Sequence, residues 1–142
     1  MEGYNSRIGK TQMQQYMGDL YENPMVVYRE YIQNACDAIE DALSMNLIQD
    51  RKKSTIIVRI DTYNKTITIE DEGVGISKDN IGPYLVDVAS SKKVNRAGQY
   101  GIGRLNGANY CDQIIYETSY FGEEVLSTLV WDVKRAREIC ED

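Results

Sequence analysis

Tyr28-Arg29-Glu30-Tyr31-Ile32-Gln33-Asn34-Ala35-Cys36-Asp37-Ala38 is the stretch on which the reading of this chain turns. Asn23 precedes Pro24, the pattern of an N-cap followed by proline in the first helical turn. No Gly or Pro follows until Gly73, and apolar residues recur at Val27, Ile32, Ala35, Ile39, Ala42 and Leu43. That period predicts a helix from about Pro24 to about Leu47. Glu30 and Asn34 are four apart and Asp37 is three further on, so all three project from one side of it. Small Ala35 and Ala38 beside them leave room for another group. An acid and an amide facing a common space can hold a metal-phosphate group and a water. Taken alone, the same stretch reads as the solvated face of an ordinary amphipathic helix. The partners further along change that reading.

After a polar loop at Arg51-Lys52-Lys53-Ser54, residues Thr55 to Asp61 are rich in β-branched side chains and predict a strand. Tyr63-Asn64-Lys65 supplies a turn, and Thr66 to Asp71 predicts a second strand paired with the first as a hairpin. Asp71 falls in step with Ile67 and Ile69, on the core-facing side. A carboxylate there needs a partner, because burying it unpaired is costly. Glu72-Gly73-Val74-Gly75-Ile76 follows directly, and its two glycines allow a tight turn and close approach of a flat ligand. Ser77 is placed to cap a helix over about Lys78 to Val88.

The next stretch, Ala89 to Ala97, is a polar basic loop leading into Gly98-Gln99-Tyr100-Gly101-Ile102-Gly103 and a helix through about Asn109. A glycine loop opening a helix presents N–H groups and the positive end of the dipole to phosphate. Lys92, Lys93, Arg96 and Arg104 cluster around it. The spacing is neither the dinucleotide fingerprint nor the P-loop, so the loop alone is a weak signal. Strands are expected at Gln113 to Ser119 and Val125 to Val133, joined by a turn at Tyr120 to Glu124, with a final helix starting near Lys134.

The bulk numbers exclude several classes of function. The 142 residues suffice for a single domain with a core, and 42% hydrophobic with 27% charged is a globular balance. A net charge of −6 disfavours sequence-independent binding to a nucleic acid backbone by this domain. No apolar run reaches the length of a membrane span and the first residues carry no signal-peptide pattern, so a cytoplasmic protein without a membrane partner is expected. Three scattered cysteines, Cys36, Cys111 and Cys140, read as free thiols. The chain contains no histidine, which removes imidazole catalysis and leaves carboxylate, lysine or tyrosine as a general base.

Each motif is ambiguous alone. In this order they resemble the GHKL ATPases, the superfamily of DNA gyrase, Hsp90, histidine kinases and MutL. The likeness is strongest to Hsp90: Leu20-Tyr21-Glu22-Asn23, Arg29-Glu30 and Asn34 to Ala38 look like the start of its nucleotide domain, and Gly98 to Gly103 like its phosphate loop. The resemblance covers about Leu20 to about Asn109. It implies a Bergerat-type α+β fold spanning 1–142, with an N-terminal arm over 1–20 and a short ATP lid over 90–97. It implies ATP and Mg²⁺ as ligands. Glu30 would orient or deprotonate the attacking water, Asn34 would ligate Mg²⁺, and Asp71 would accept the adenine amino group. Gly73 and Gly75 would line the base pocket, Asp37 its edge, and Gly98, Gly101 and Gly103, with Lys92, the phosphates.

Three departures go with it. The lid is shorter than in Hsp90 chaperones and nearer the MutL and topoisomerase VI type. Arg104 stands where Hsp90 has an aromatic residue. Family members continue to a later strand and take a basic γ-phosphate contact from a following domain, so a C-terminally truncated fragment is expected, slow or inactive alone. The resemblance implies a larger homodimeric protein with a client protein as partner. The alternatives are a non-catalytic nucleotide switch, the ATPase domain of a MutL- or topoisomerase-type DNA-processing protein, and a structural domain with coincidental glycine turns. The expected architecture is a two-layer sandwich of helices on a mixed, mainly antiparallel sheet, with nucleotide between the layers. Val58, Ile60, Ile67, Ile69, Ile115, Leu129 and Trp131 are its candidate sheet core.

Overall fold

Helix α1 runs from Met25 to Ser44 and buries Val27, Ala35, Ile39 and Ala42 along one stripe. The structure, a computed structural model, describes residues 25–82 and 107–141. The N-terminal arm, the Asn23–Pro24 cap, the lid and the Gly98 to Gly103 loop lie outside the described residues, as does most of the helix expected after Ser77.

The helix ends three residues before Leu47 for a local reason. Asn46 takes the left-handed conformation, with φ of 57°. Leu47 N–H donates to the Ala42 carbonyl at 2.9 Å and Asn46 N–H to the Leu43 carbonyl at 3.0 Å. This is a Schellman closure in which asparagine takes the place usual for glycine. The loop beyond it contains one 3-10 turn, Arg51–Lys53, capped by Asp50, which accepts from Lys52 N–H at 3.0 Å.

Strands β1 (Ile56–Asp61) and β2 (Thr66–Asp71) form the expected antiparallel hairpin. Asp61 organises its turn by accepting from Tyr63 N–H, Asn64 N–H and the Asn64 side chain at 3.0, 2.9 and 2.7 Å. These bonds hold its carboxyl below the usual range, the Asn64 backbone bond most of all. The register pairs Ile56 with Asp71, Val58 with Ile69 and Ile60 with Ile67. Asp71 therefore shares a face with the isoleucines, as the alternation predicts. Glu72 accepts from Thr55 N–H and Oγ1 at 2.8 and 2.9 Å, closing the open end of the hairpin.

Strands β3 (Gln113–Thr118) and β4 (Ser127–Asp132) form a second antiparallel hairpin. Helix α2 (Val133–Glu141) follows without a break. Asp132 caps it by accepting from Arg135 N–H at 2.9 Å. Val133, expected at the end of the strand, is instead the first helical residue and is buried to 1% exposure. Of the helix expected to run through Asn109, only residues 107–109 are described, and they form a 3-10 turn. The described residues thus make an α+β domain of two helices and two small antiparallel sheets, each of two strands.

Part of the expected sheet core is corrected. Ile69, Leu129 and Trp131 are half-buried, but Val58, Ile60 and Ile67 are 45%, 68% and 44% exposed. Burial fades from Ile56 and Ile69 toward the turn because α1 meets the hairpin at its open end, where Gly73 abuts Ala38. Ile115 is 54% exposed, since the register sets it opposite Val130 on the outer face. The inner face carries Ile114 opposite Trp131 and Tyr116 opposite Leu129.

The segment after β2 joins these parts. Val74 N–H donates to the Ala38 carbonyl at 3.1 Å, and Ile76 N–H to Thr118 Oγ1 at 2.9 Å. Gly75, with φ of 72°, lies so close to β3 that an added Cβ would stand 2.0 Å from the Ser119 carbonyl oxygen. Strain from the left-handed backbone and the clash add, so Gly75→Ala should cost about 3 kcal/mol or more. Urea unfolding measures it, and a loss below about 0.5 kcal/mol would show that this contact does not constrain the loop.

Candidate functional site

The site is built where the open end of the β1–β2 hairpin meets the middle of α1. An added Cβ on Gly73 would stand 2.4 Å from the Ala38 Cβ and 2.7 Å from Asp71 Oδ1. Only glycine lets the strand end, the turn and the helix come this close. Gly73 N–H donates to Asp71 Oδ1 at 2.9 Å, which fixes the carboxylate against the turn. Among the described residues no donor reaches the other oxygen. Burial pushes the Asp71 carboxyl above the usual carboxylate range, opposed by the Gly73 bond. Asp71 is thus an exposed residue at the strand end whose carboxylate is only partly desolvated and accepts one hydrogen bond among the described residues.

On α1, Asp37 is the residue before Ala38, half-buried, and accepts from Gln33 Nε2 at 3.0 Å. Asn34 is exposed and its amide makes no hydrogen bond among the described residues. The Glu30 side chain is 25% exposed and pairs with exposed Arg29 at 3.3 Å. Such an outward pair is weak and leaves the carboxylate free to reorient. Gly75 lies against the end of β3 at Ser119. Lys92, Gly98, Gly101 and Gly103 are outside the described residues. The structure thus joins Asp71 and Gly73 to the helix that carries Glu30, Asn34 and Asp37. A cleft of about 370 Å³, lined by Ala42, Leu47, Gly73, Val74 and Phe121 among others, touches only Gly73 of the expected site residues.

Sequence reasoning missed the residues that hold this arrangement. Thr118 and Glu123 anchor Ile76 and Lys78 N–H from 42 and 45 residues away, a separation without any local signal. Glu72 was visible only as the residue before a glycine.

No group of three or more His, Cys, Asp or Glu side chains among the described residues could hold a metal. An exposed amide oxygen from Asn34 fits Mg²⁺, which keeps several waters and takes phosphate oxygens rather than an all-protein cage.

Residues 21–140 match the family described as histidine kinase-, DNA gyrase B- and HSP90-like ATPases. The chain belongs to that family. Among curated proteins it is similar to the chaperone protein HtpG of Helicobacter hepaticus, 29% identical over 141 residues covering 86% of this chain and 23% of that chaperone. HtpG of Acinetobacter baylyi is 31% identical over 122 residues, 72% of this chain and 19% of that one. HtpG of an Enterobacter species is 26% identical over 155 residues, 93% and 25%. The chain spans about a quarter or less of the length of these relatives. It is a GHKL-type ATP-binding domain related to the HtpG chaperones. No helix among the described residues is long and apolar enough to cross a membrane.

The raised Asp71 carboxyl has a stability consequence with a definite sign. The native state holds this proton more tightly than the unfolded chain. Its contribution is therefore fully favourable below the unfolded pKa and is lost as pH rises through the native one. Asp71→Asn keeps the oxygen that accepts from Gly73 and removes the ionisation. Without nucleotide, the variant should melt higher than the wild-type chain at pH 7 to 8, with the difference vanishing below about pH 4. Thermal melts across that range check it; a variant that melts lower at pH 8 would contradict the reading.

Proposed function

We propose that the chain binds ATP with Mg²⁺ and hydrolyses it slowly as part of a larger, dimerising Hsp90-like ATPase. The observation that carries this is Asp71, a partly desolvated carboxylate at a strand end with one oxygen uncommitted, set beside a glycine pressed against α1. An adenine amino group is a donor of the size and flatness that such a site accepts. Gly73 and Gly75 line the base side and Asp37 its edge.

The phosphates then extend along α1 toward Asn34 and Glu30. Asn34 would hold Mg²⁺ through its side-chain oxygen, and the ion, when bound, would supply charge neutralisation. Glu30 turns from Arg29 to the attacking water and orients it or takes its proton. Gly98, Gly101 and Gly103, with Lys92 and the short lid of residues 90–97, would serve the phosphates. Phosphoryl transfer asks for positioning and electrostatics more than covalent help, so a chain without histidine is equipped for it. In this reading the two hairpins and the helices form the layers of a Bergerat-type sandwich, and the output of turnover is delivered to a client protein in the cytoplasm.

The test separates binding from chemistry. Glu30→Ala should retain affinity for a slowly hydrolysed ATP analogue within about twofold and lower steady-state phosphate release by about 10²-fold or more. The release is measured in the longest chain that contains this domain. Equal release by the variant would remove Glu30 from the role of base.

A further inference from the structure

Tyr31 follows Glu30 on α1 but projects about a quarter turn away, toward the buried stripe. Its hydroxyl accepts from Gly107 N–H at 3.3 Å, across 76 residues of sequence. Gly107 stands four residues beyond Gly103, the end of the glycine-rich loop. An added Cβ on Gly107 would lie 2.7 Å from the Tyr31 hydroxyl and 3.3 Å from Ile114 Cδ1. Burial raises the Tyr31 hydroxyl above its ordinary range, with hydrogen bonds from Tyr116 and Gly107 acting against it.

The other side of this contact is braced. Cys111 Sγ donates to the Gly107 carbonyl at 2.9 Å. Arg137 of α2 donates to the carbonyls of Ala108 and Cys111. Gly107 therefore offers its N–H from a corner that α2 holds in place. The α1 stripe packs otherwise through Val27, Ala35, Ile39 and Ala42. Two turns further on, the Val74 N–H bond to the Ala38 carbonyl also ties α1 to the domain, whereas beside Glu30 the directional contact is that of Tyr31. A hydrogen bond to a fixed backbone amide is directional and sets the rotation.

We infer that Tyr31 is a positioning residue, whose hydroxyl on Gly107 sets the rotation of α1 and so the aim of Glu30 and Asn34 at the terminal phosphate. The inference rests on the ATP reading above and extends it to a residue that touches no nucleotide. Tyr31→Phe keeps the ring and removes the acceptor. The base side, built on Asp71 and Gly73, lies two turns along the helix at Ala38 and is held by its own bonds.

Calorimetric titration of the full chain tests it, with a slowly hydrolysed ATP analogue plus Mg²⁺ and with adenosine as separate probes. Tyr31→Phe should weaken the analogue about five- to tenfold, the scale of one lost hydrogen bond, and leave adenosine within about twofold. Equal affinities for the analogue in both proteins, or an equal loss for both probes, would overturn the role. Gly107→Ala provides the second arm. Alone it should lower the melting temperature, and adding Tyr31→Phe should recover part of that loss by removing the clashing hydroxyl. Additive losses would overturn the contact. A wild-type chain that binds neither probe overturns the ATP reading itself and this inference with it, an outcome distinct from a wild-type chain that binds both with Tyr31→Phe indistinguishable from it.

Discussion

A single backbone contact, Val74 N–H on the Ala38 carbonyl, brings the end of the β1–β2 hairpin to the middle of α1. That approach sets Asp71 and Gly73 beside the helix that carries Asn34 and Glu30. Gly73 permits it by lacking a Cβ, and Ala38 permits it from the other side. A larger residue at either position would separate Asp71 from the helix that carries Asn34 and Glu30. The next residues extend the same strategy to the second hairpin, through Gly75 under Ser119 and Ile76 on Thr118. Among the described residues, these close contacts join the two sheets.

The same crowding creates the chemical tension at the site. Asp71 sits on the isoleucine face of β2 with one hydrogen bond and loses part of its hydration. Asp61 at the turn accepts from turn groups and Glu72 accepts from Thr55 through one oxygen, and both carboxyls lie below the ordinary range. These acids thus differ in environment: Asp61 and Glu72 tie the structure together, whereas Asp71 accepts only from Gly73 N–H among the described residues and its carboxyl is raised.

Much of this was legible in the sequence. The uninterrupted helical period from Val27 to Leu43, the β-branched runs and the position of Asp71 in step with Ile67 and Ile69 each gave a local signal that the structure repeats. Local signals also explain the boundary errors. Asn46 closes α1 by a conformation asparagine adopts only sometimes, and Asp132 diverts Val133 from strand to helix. The exposed Val58, Ile60 and Ile67 could not be foreseen, because alternation shows which face is apolar but not how far a helix covers it. The braces Tyr31, Thr118 and Arg137 were invisible for the same reason: each acts on residues 26 to 76 positions away. Eleven tyrosines against one phenylalanine was an oddity without a cause in the sequence; at Tyr31, at least, the hydroxyl has a use that phenylalanine could not serve.

The central claim is that Asp71 and α1 frame an adenine-nucleotide site completed by a cation. Calorimetric titration of the wild-type chain with a slowly hydrolysed ATP analogue, with and without Mg²⁺, tests it most directly. The account predicts micromolar affinity, about −8 kcal/mol, that weakens when Mg²⁺ is withheld. Affinity that ignores Mg²⁺, or the absence of any heat of binding, would contradict it.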